Sequence, residues 1–201
     1  MDLKTLPLFT PQLVTSNPSS LLEDLPPFVG PCDLVRDPQT GEALAVVVTF
    51  GKKHRITQTL SLLGWALCRE ATRFNITIVT NADSSKPGYR VYTKFSFPGA
   101  PHDNFPIQRL FKNAGANEAV RKAGIQSDLR PDNLTKIGAG SPLKSAVKVI
   151  REHVRRAASE QEAAGTFPKE FTKEQYLANF EALLSAVLEE TAASPVEGLS
   201  A

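Results

Sequence analysis

Apolar residues crowd into Leu44-Ala-Val-Val-Val-Thr-Phe50, a run rich in β-branched side chains that predicts a buried strand. Gly51-Lys52-Lys53-His54-Arg55 interrupts the run with a basic loop. Beyond it the spacing changes to steps of three and four at Ile56, Leu60, Leu63, Leu67, Ala71 and Phe74, which predicts one helix as far as Phe74 with that stripe facing a core. A second row, Gln58, Leu62, Trp65 and Arg69, runs well round the same cylinder. Leu62 and Trp65 on that row are either covered by another element, with the N-terminal arm of the same chain or of a neighbouring subunit as the expected cover, or left as a contact patch. Asn75 to Asn81 and Tyr89 to Phe97 read as two further strands. Alternation along the second puts Tyr89, Val91, Thr93, Phe95 and Phe97 on one face and Arg90, Tyr92, Lys94 and Ser96 on the other.

From Pro98 to Gly140 the pattern predicts small helices stopped by glycine rather than a regular sheet. Ile107, Leu110 and Phe111 form one apolar face before Gly115, Asn117 can cap a second short helix ending at Gly124, and Leu129 to Ile137 can add a turn. Two longer helices close the chain. Ser141-Pro142 suits a helix start, with Leu143, Val147, Ile150, Val154 and Ala157 on its inner face. Lys144, Lys148, Arg151 and Arg155 form a separate stripe at the same spacing. Thr172 with Gln175 makes a capping box for the last helix, whose apolar face is Tyr176, Phe180, Leu183, Leu184 and Val187. The short connection predicts an antiparallel helical hairpin.

The fold class expected is α+β: a small sheet packed with a long apolar helix, followed by a mainly helical C-terminal half. The expected divisions are a proline-rich extended arm over 1–41, a basic α+β core over 42–140, the helical hairpin over 141–192 and a disordered tail over 193–201. Seven of the fifteen prolines lie in the arm, together with Phe9, Phe28 and several leucines. Proline at that density blocks helix and sheet interiors. The apolar content in turn predicts a segment laid on a surface, and Phe9 and Phe28 are its expected subunit contacts.

Charge is distributed unevenly. Residues 1–41 hold two basic and five acidic side chains, residues 42–98 eight and three, residues 99–163 eleven and seven, and residues 164–201 two and six. The overall +2 therefore hides a middle of +9 between ends that together carry −7. A basic body of this kind either meets a polyanion or is neutralised by acidic segments of its own or of a neighbour. Lys52, Lys53 and Arg55 in the loop, Arg90, Tyr92 and Lys94 on the strand, and Lys144, Lys148, Arg151 and Arg155 on the helix are the expected nucleic-acid contacts. Cations there would meet phosphates and the exposed ring could stack on a base.

Specific chemistry is sparse. The spacing of Gly88, Tyr89 and Tyr92 does not fit the RNA-recognition module. His54, His102 and His153 show no metal-ligand spacing, and Cys32 with Cys68 cannot build a zinc cage. His102-Asp103 has no serine in a nucleophile-elbow motif to serve, and Gly138-Ala139-Gly140-Ser141 lacks the Walker pattern. No catalytic residue, metal or cofactor is assigned. No apolar run approaches the ~20 residues of a membrane span, and the two cysteines suit a reducing compartment. The sequence thus predicts a soluble intracellular, non-enzymatic structural protein, a homo-oligomer that coats single-stranded nucleic acid, with RNA the expected type, as a viral coat or nucleoprotein does. Virion association follows from that reading. The alternative is a matrix-type or adaptor protein whose basic surface meets an anionic membrane or an acidic protein.

Overall fold

The computed structural model describes residues 32–50, 56–83, 90–100, 104–112, 114, 119–122, 127–138, 145–167 and 172–193. Phe9, Phe28, Lys52, Lys53, Arg55 and Lys144 lie outside them, as do the side chains of Arg90 and Tyr92. So do the glycine stops at 115 and 124, Asn117, the Ser141-Pro142 start and the tail from residue 194.

Among the described residues, three antiparallel sheets and two long helices make an α+β fold. The first sheet joins β1 (Cys32–Arg36), β2 (Ala43–Phe50) and β3 (Ile56–Leu60) in chain order. Its first turn is held by Asp37, whose carboxylate accepts from Gln39 N at 2.7 Å and Thr40 N at 2.9 Å. Those amide donors hold the Asp37 carboxyl below its usual range. The chain turns over residues 38–40, ahead of Gly41 at φ +74°. The arm expected over 1–41, however, gives up its last part to the sheet: Cys32–Arg36 pairs with β2 from Cys32↔Val48 to Arg36↔Ala43.

Helix α1 (Leu62–Arg73) ends where expected and begins later. Ile56–Leu60 is a strand, not the first turns of a helix, and pairs with β2 through Val46↔Leu60 and Phe50↔Ile56. Its residues alternate, with Gln58 and Leu60 inward and Thr57 outward. The four-residue step from Ile56 to Leu60 that suits a helix also equals two strand repeats. Ser61 makes the boundary: its hydroxyl accepts from Gly64 N at 3.1 Å as an N-cap. Asn75, at φ 60°, turns the chain out of the helix.

The second sheet joins β4 (Thr77–Asp83), β5 (Arg90–Ser96) and β6 (Phe105–Pro106). The predicted alternation holds where side chains are described: Thr93, Phe95 and Phe97 are buried, Lys94 and Ser96 half-buried. Thr93 Oγ1 donates to Gln58 Oε1 at 2.5 Å, tying this sheet to the first. Helix α2 (Ile107–Phe111) follows with the expected apolar face. The described residues of the rest of the 98–140 region depart from small helices. β7 (Ala119–Lys122) and β8 (Leu134–Ile137) form a two-stranded antiparallel sheet, and Pro131–Asn133 makes a 3-10 turn.

Helix α3 (Ala146–Ala163) starts at the Ser145 cap, after the Ser141-Pro142 start expected for it, and buries Val147, Ile150, Val154 and Ala157. Gly165, at φ +67°, ends it with its N–H on Glu162 O. Helix α4 (Lys173–Ala193) opens on the predicted capping box, with Thr172 N on Gln175 Oε1 at 2.9 Å and Gln175 N on Thr172 Oγ1 at 3.2 Å. Tyr176, Phe180, Leu183, Leu184 and Val187 are all buried.

Helix α4 runs antiparallel to α1. Phe74 at the end of α1 packs in a tilted pair with Tyr176 and edge-on with Phe180, with ring centroids 4.9 and 5.3 Å away. At the other end Ser61 Oγ donates to Glu190 Oε2 at 2.7 Å. On another side of α1, Gly64 lets Phe111 of α2 approach so closely that a Cβ there would meet its ring at 3.2 Å. Leu62 and Trp65 are 6% and 2% exposed and belong to the core of this chain. The apolar contact surface expected at these two positions is therefore taken up by intramolecular packing.

Candidate nucleic-acid interface

The described cations of the expected site fall into two places. Lys94 stands on β5 opposite Val79 of β4 and Pro106 of β6, on the face away from Phe95 and Phe97. Arg90 and Tyr92 hold the alternate positions of the same strand, in register with Asp83 and Asn81. Helix α3 approaches this sheet at Phe97, whose ring centroid lies 4.8 Å from that of His153. By the alternation along the chain, Lys94 lies on the face opposite the Phe97 side chain that meets α3.

Lys148, Arg151 and Arg155 do share one side of α3, because residues three, four and seven apart recur on a helical face. Their side chains are 53%, 37% and 66% exposed. The apolar positions between them, Val147, Ile150 and Val154, fix the roll of the helix by facing the core. Each of these cations has an acid nearby. Lys148 Nζ is 3.9 Å from Glu152 one turn along. Arg151 Nε donates to both oxygens of Glu181 on α4, at 2.8 and 3.2 Å. Arg155 Nη2 lies 3.9 Å from the same carboxylate. Neighbouring Arg156 leans on Glu160 at 3.8 Å and sends Nη2 to within 2.9 Å of His153 Nδ1.

Glu181 is an ion-pair partner that the stripe alone does not announce. The signal lies in the hairpin: antiparallel helices bring together positions whose midpoints nearly coincide. Arg155 and Glu181 share such a midpoint with Glu162 and Lys173, whose Oε2 and Nζ are 2.5 Å apart, and Arg151 lies one turn before Arg155.

A second group of ions is internal. Arg69, 0% exposed, reaches Glu70 Oε1 through Nη2 at 3.0 Å, and Arg73 Nε reaches Glu70 Oε2 at 3.1 Å. Arg69 also stands 5.3 Å from the Trp65 ring centre, a cation–π contact. Burial pushes Arg69 down to about 10 and Glu70 above the ordinary carboxylate range, against the mutual attraction of the pair. Burial likewise raises Cys68 and Tyr176, so both are protonated at neutral pH. These groups hold α1 among its neighbours and are closed to a macromolecular ligand.

A cleft of about 330 Å³ opens beside the last turn of α4, lined by Lys112, Leu134, Lys136 and Thr191 among others. Lys112 Nζ donates to Thr191 O at 3.2 Å, so this ammonium caps helix carbonyls. Burial lowers its pKa, against the pull of Asp132. Among the described residues no three His, Cys, Asp or Glu side chains stand together as metal ligands. Nor, among those residues, is any helix long and apolar enough to cross a membrane.

An α+β body with an ion-paired basic helix at its surface is thus the class that fold and site define. Comparison with family models, with curated proteins and with solved structures gives no match.

Proposed function

We propose that this chain is a non-enzymatic structural protein that assembles with copies of itself and coats single-stranded nucleic acid, in the manner of a viral coat or nucleoprotein. The single observation that carries the reading is the exposed row of Lys148, Arg151 and Arg155 on α3. Seven residues of helix span about 10 Å, a length that meets a few consecutive phosphates. The row reads backbone charge and offers no base-edge recognition, so binding is weakly sequence-specific. Its ion pairs are at the surface, where such pairs are worth about 0–1 kcal/mol, and phosphates can exchange with them. Lys94, Arg90 and Tyr92 form a separate contact on the second sheet rather than one continuous groove with α3.

Titration with a uridine oligonucleotide tests this reading. Affinity should fall steeply between about 50 and 200 mM salt, and the Lys148→Gln, Arg155→Gln double variant should flatten the log–log slope by about 0.7 for each phosphate no longer neutralised. Equal retention on a neutral polymer at low salt sinks the proposal. Preferential capture by anionic vesicles or by polyglutamate favours the matrix-type or adaptor reading instead, for which the seating of a protein carboxylate, Glu181, on Arg151 is the supporting observation. Assembly is tested by removing residues 1–31, a cut that leaves β1 in place. An unchanged number of subunits per particle would count against exchange of the arm between subunits.

A further inference from the structure

Resting on that reading, we infer that Glu181 is a built-in competitor for the phosphate site, a specificity-determining residue that keeps Arg151 and Arg155 weakly occupied until a polyanion displaces it. Three observations lead there. Glu181 comes from the other helix of the hairpin, so α4 delivers it to α3 from outside the basic stripe. It engages Arg151 through Nε alone, at 2.8 and 3.2 Å. The other guanidinium nitrogens remain for a second acceptor, since guanidinium presents five N–H donors. Third, one carboxylate stands against two arginines, with Arg155 at 3.9 Å. The cluster therefore keeps a net positive charge and stays attractive to an anion.

Other acids near the stripe differ in kind. Glu152 and Glu160 pair within α3 at 3.9 and 3.8 Å, the loose spacing of side chains one helical turn apart. Glu181 makes the short contact and is only 34% exposed, held at its place by the packing of α4 on α3. A phosphate that docks on the two arginines replaces a weak surface pair. Only a ligand with several linked phosphates offsets that cost at neighbouring cations, so a single phosphate ion is held poorly and a strand is held well. Glu181 thus sets a threshold that favours polymer over mononucleotide.

The test measures uridine-oligonucleotide and uridine-monophosphate affinity for the full chain, for Glu181→Gln, for Glu181→Ala, and for Glu174→Gln. The last removes the same charge from an exposed position in the first turn of α4. Removing a surface-pair carboxylate should tighten oligonucleotide binding on the order of fivefold at low salt. The gain should be similar for Gln and Ala and should fade at high salt. Glu174→Gln should stay within about twofold, and the monophosphate should gain as much as the oligonucleotide or more. Glu181 variants that match Glu174→Gln, or that bind more weakly than the parent, overturn the competitor role while leaving nucleic-acid binding intact. No binding by any of the four proteins overturns both readings, and unchanged melting temperatures exclude misfolding as the cause.

Discussion

Two arginine–glutamate–arginine groups occur in this chain, and they behave as opposites. Arg69, Glu70 and Arg73 are buried on α1, while Arg151, Glu181 and Arg155 sit at the surface between α3 and α4. Distances are similar, with closest approaches of 3.0 and 2.8 Å. What separates them is water. Inside, each charge has given up its hydration and holds its partner because solvent cannot take that partner's place. Outside, water and salt compete throughout, so the same pairing costs little to open. Identical chemistry thus makes a fixed structural joint in one place and a readily opened surface pair in the other.

Removing the shared carboxylate from each group measures that contrast. Glu70→Gln removes the buried carboxylate that Arg69 and Arg73 share and should cost about 3–5 kcal/mol of unfolding free energy, read as a lowered urea midpoint. An intermediate case is Ser61, which caps α1 and also donates to half-buried Glu190. Ser61→Ala should cost about 1 kcal/mol for the cap. Burial raises the Glu190 carboxyl above its ordinary 4.5, with the Ser61 hydrogen bond opposing. The folded state then binds this proton more tightly than the unfolded state. Its contribution to stability is full below 4.5 and declines as pH rises through the raised value, a decline that Glu190→Gln should flatten in pH-dependent melts. Smallest of all, Glu181→Gln should change stability by less than about 1 kcal/mol. Equal destabilisation by Glu70→Gln and Glu181→Gln would show that burial does not distinguish the two groups.

Legibility from sequence followed how local each cause is. The strand around Val46 and Val48 was readable because its apolar run needs no partner to be recognised. The α4 start was readable because Thr172 and Gln175 satisfy each other across three residues. Ile56–Leu60 was not, since Ile56 and Leu60 fall on one face in either period and only pairing with β2 decides. Cys32–Arg36 lies between Pro31 and Pro38 and reads as arm until β2 is placed beside it. The β7–β8 hairpin has the same dependence. For the candidate site, the Lys148–Arg155 stripe follows from helical spacing alone. Its neutralisation by Glu181 and the burial of Trp65 follow from how helices pack, which periodicity does not specify.

Each sheet joins strands in chain order, whereas the Ser61–Glu190 hydrogen bond links residues 129 apart. Short loops close cheaply and the long one closes at greater entropic cost. The hairpins are therefore expected to form early in refolding, with the seating of α4 against α1 as the slow event. Stopped-flow refolding of Phe180→Leu, altered where α4 meets Phe74, should be slowed if that docking limits the rate.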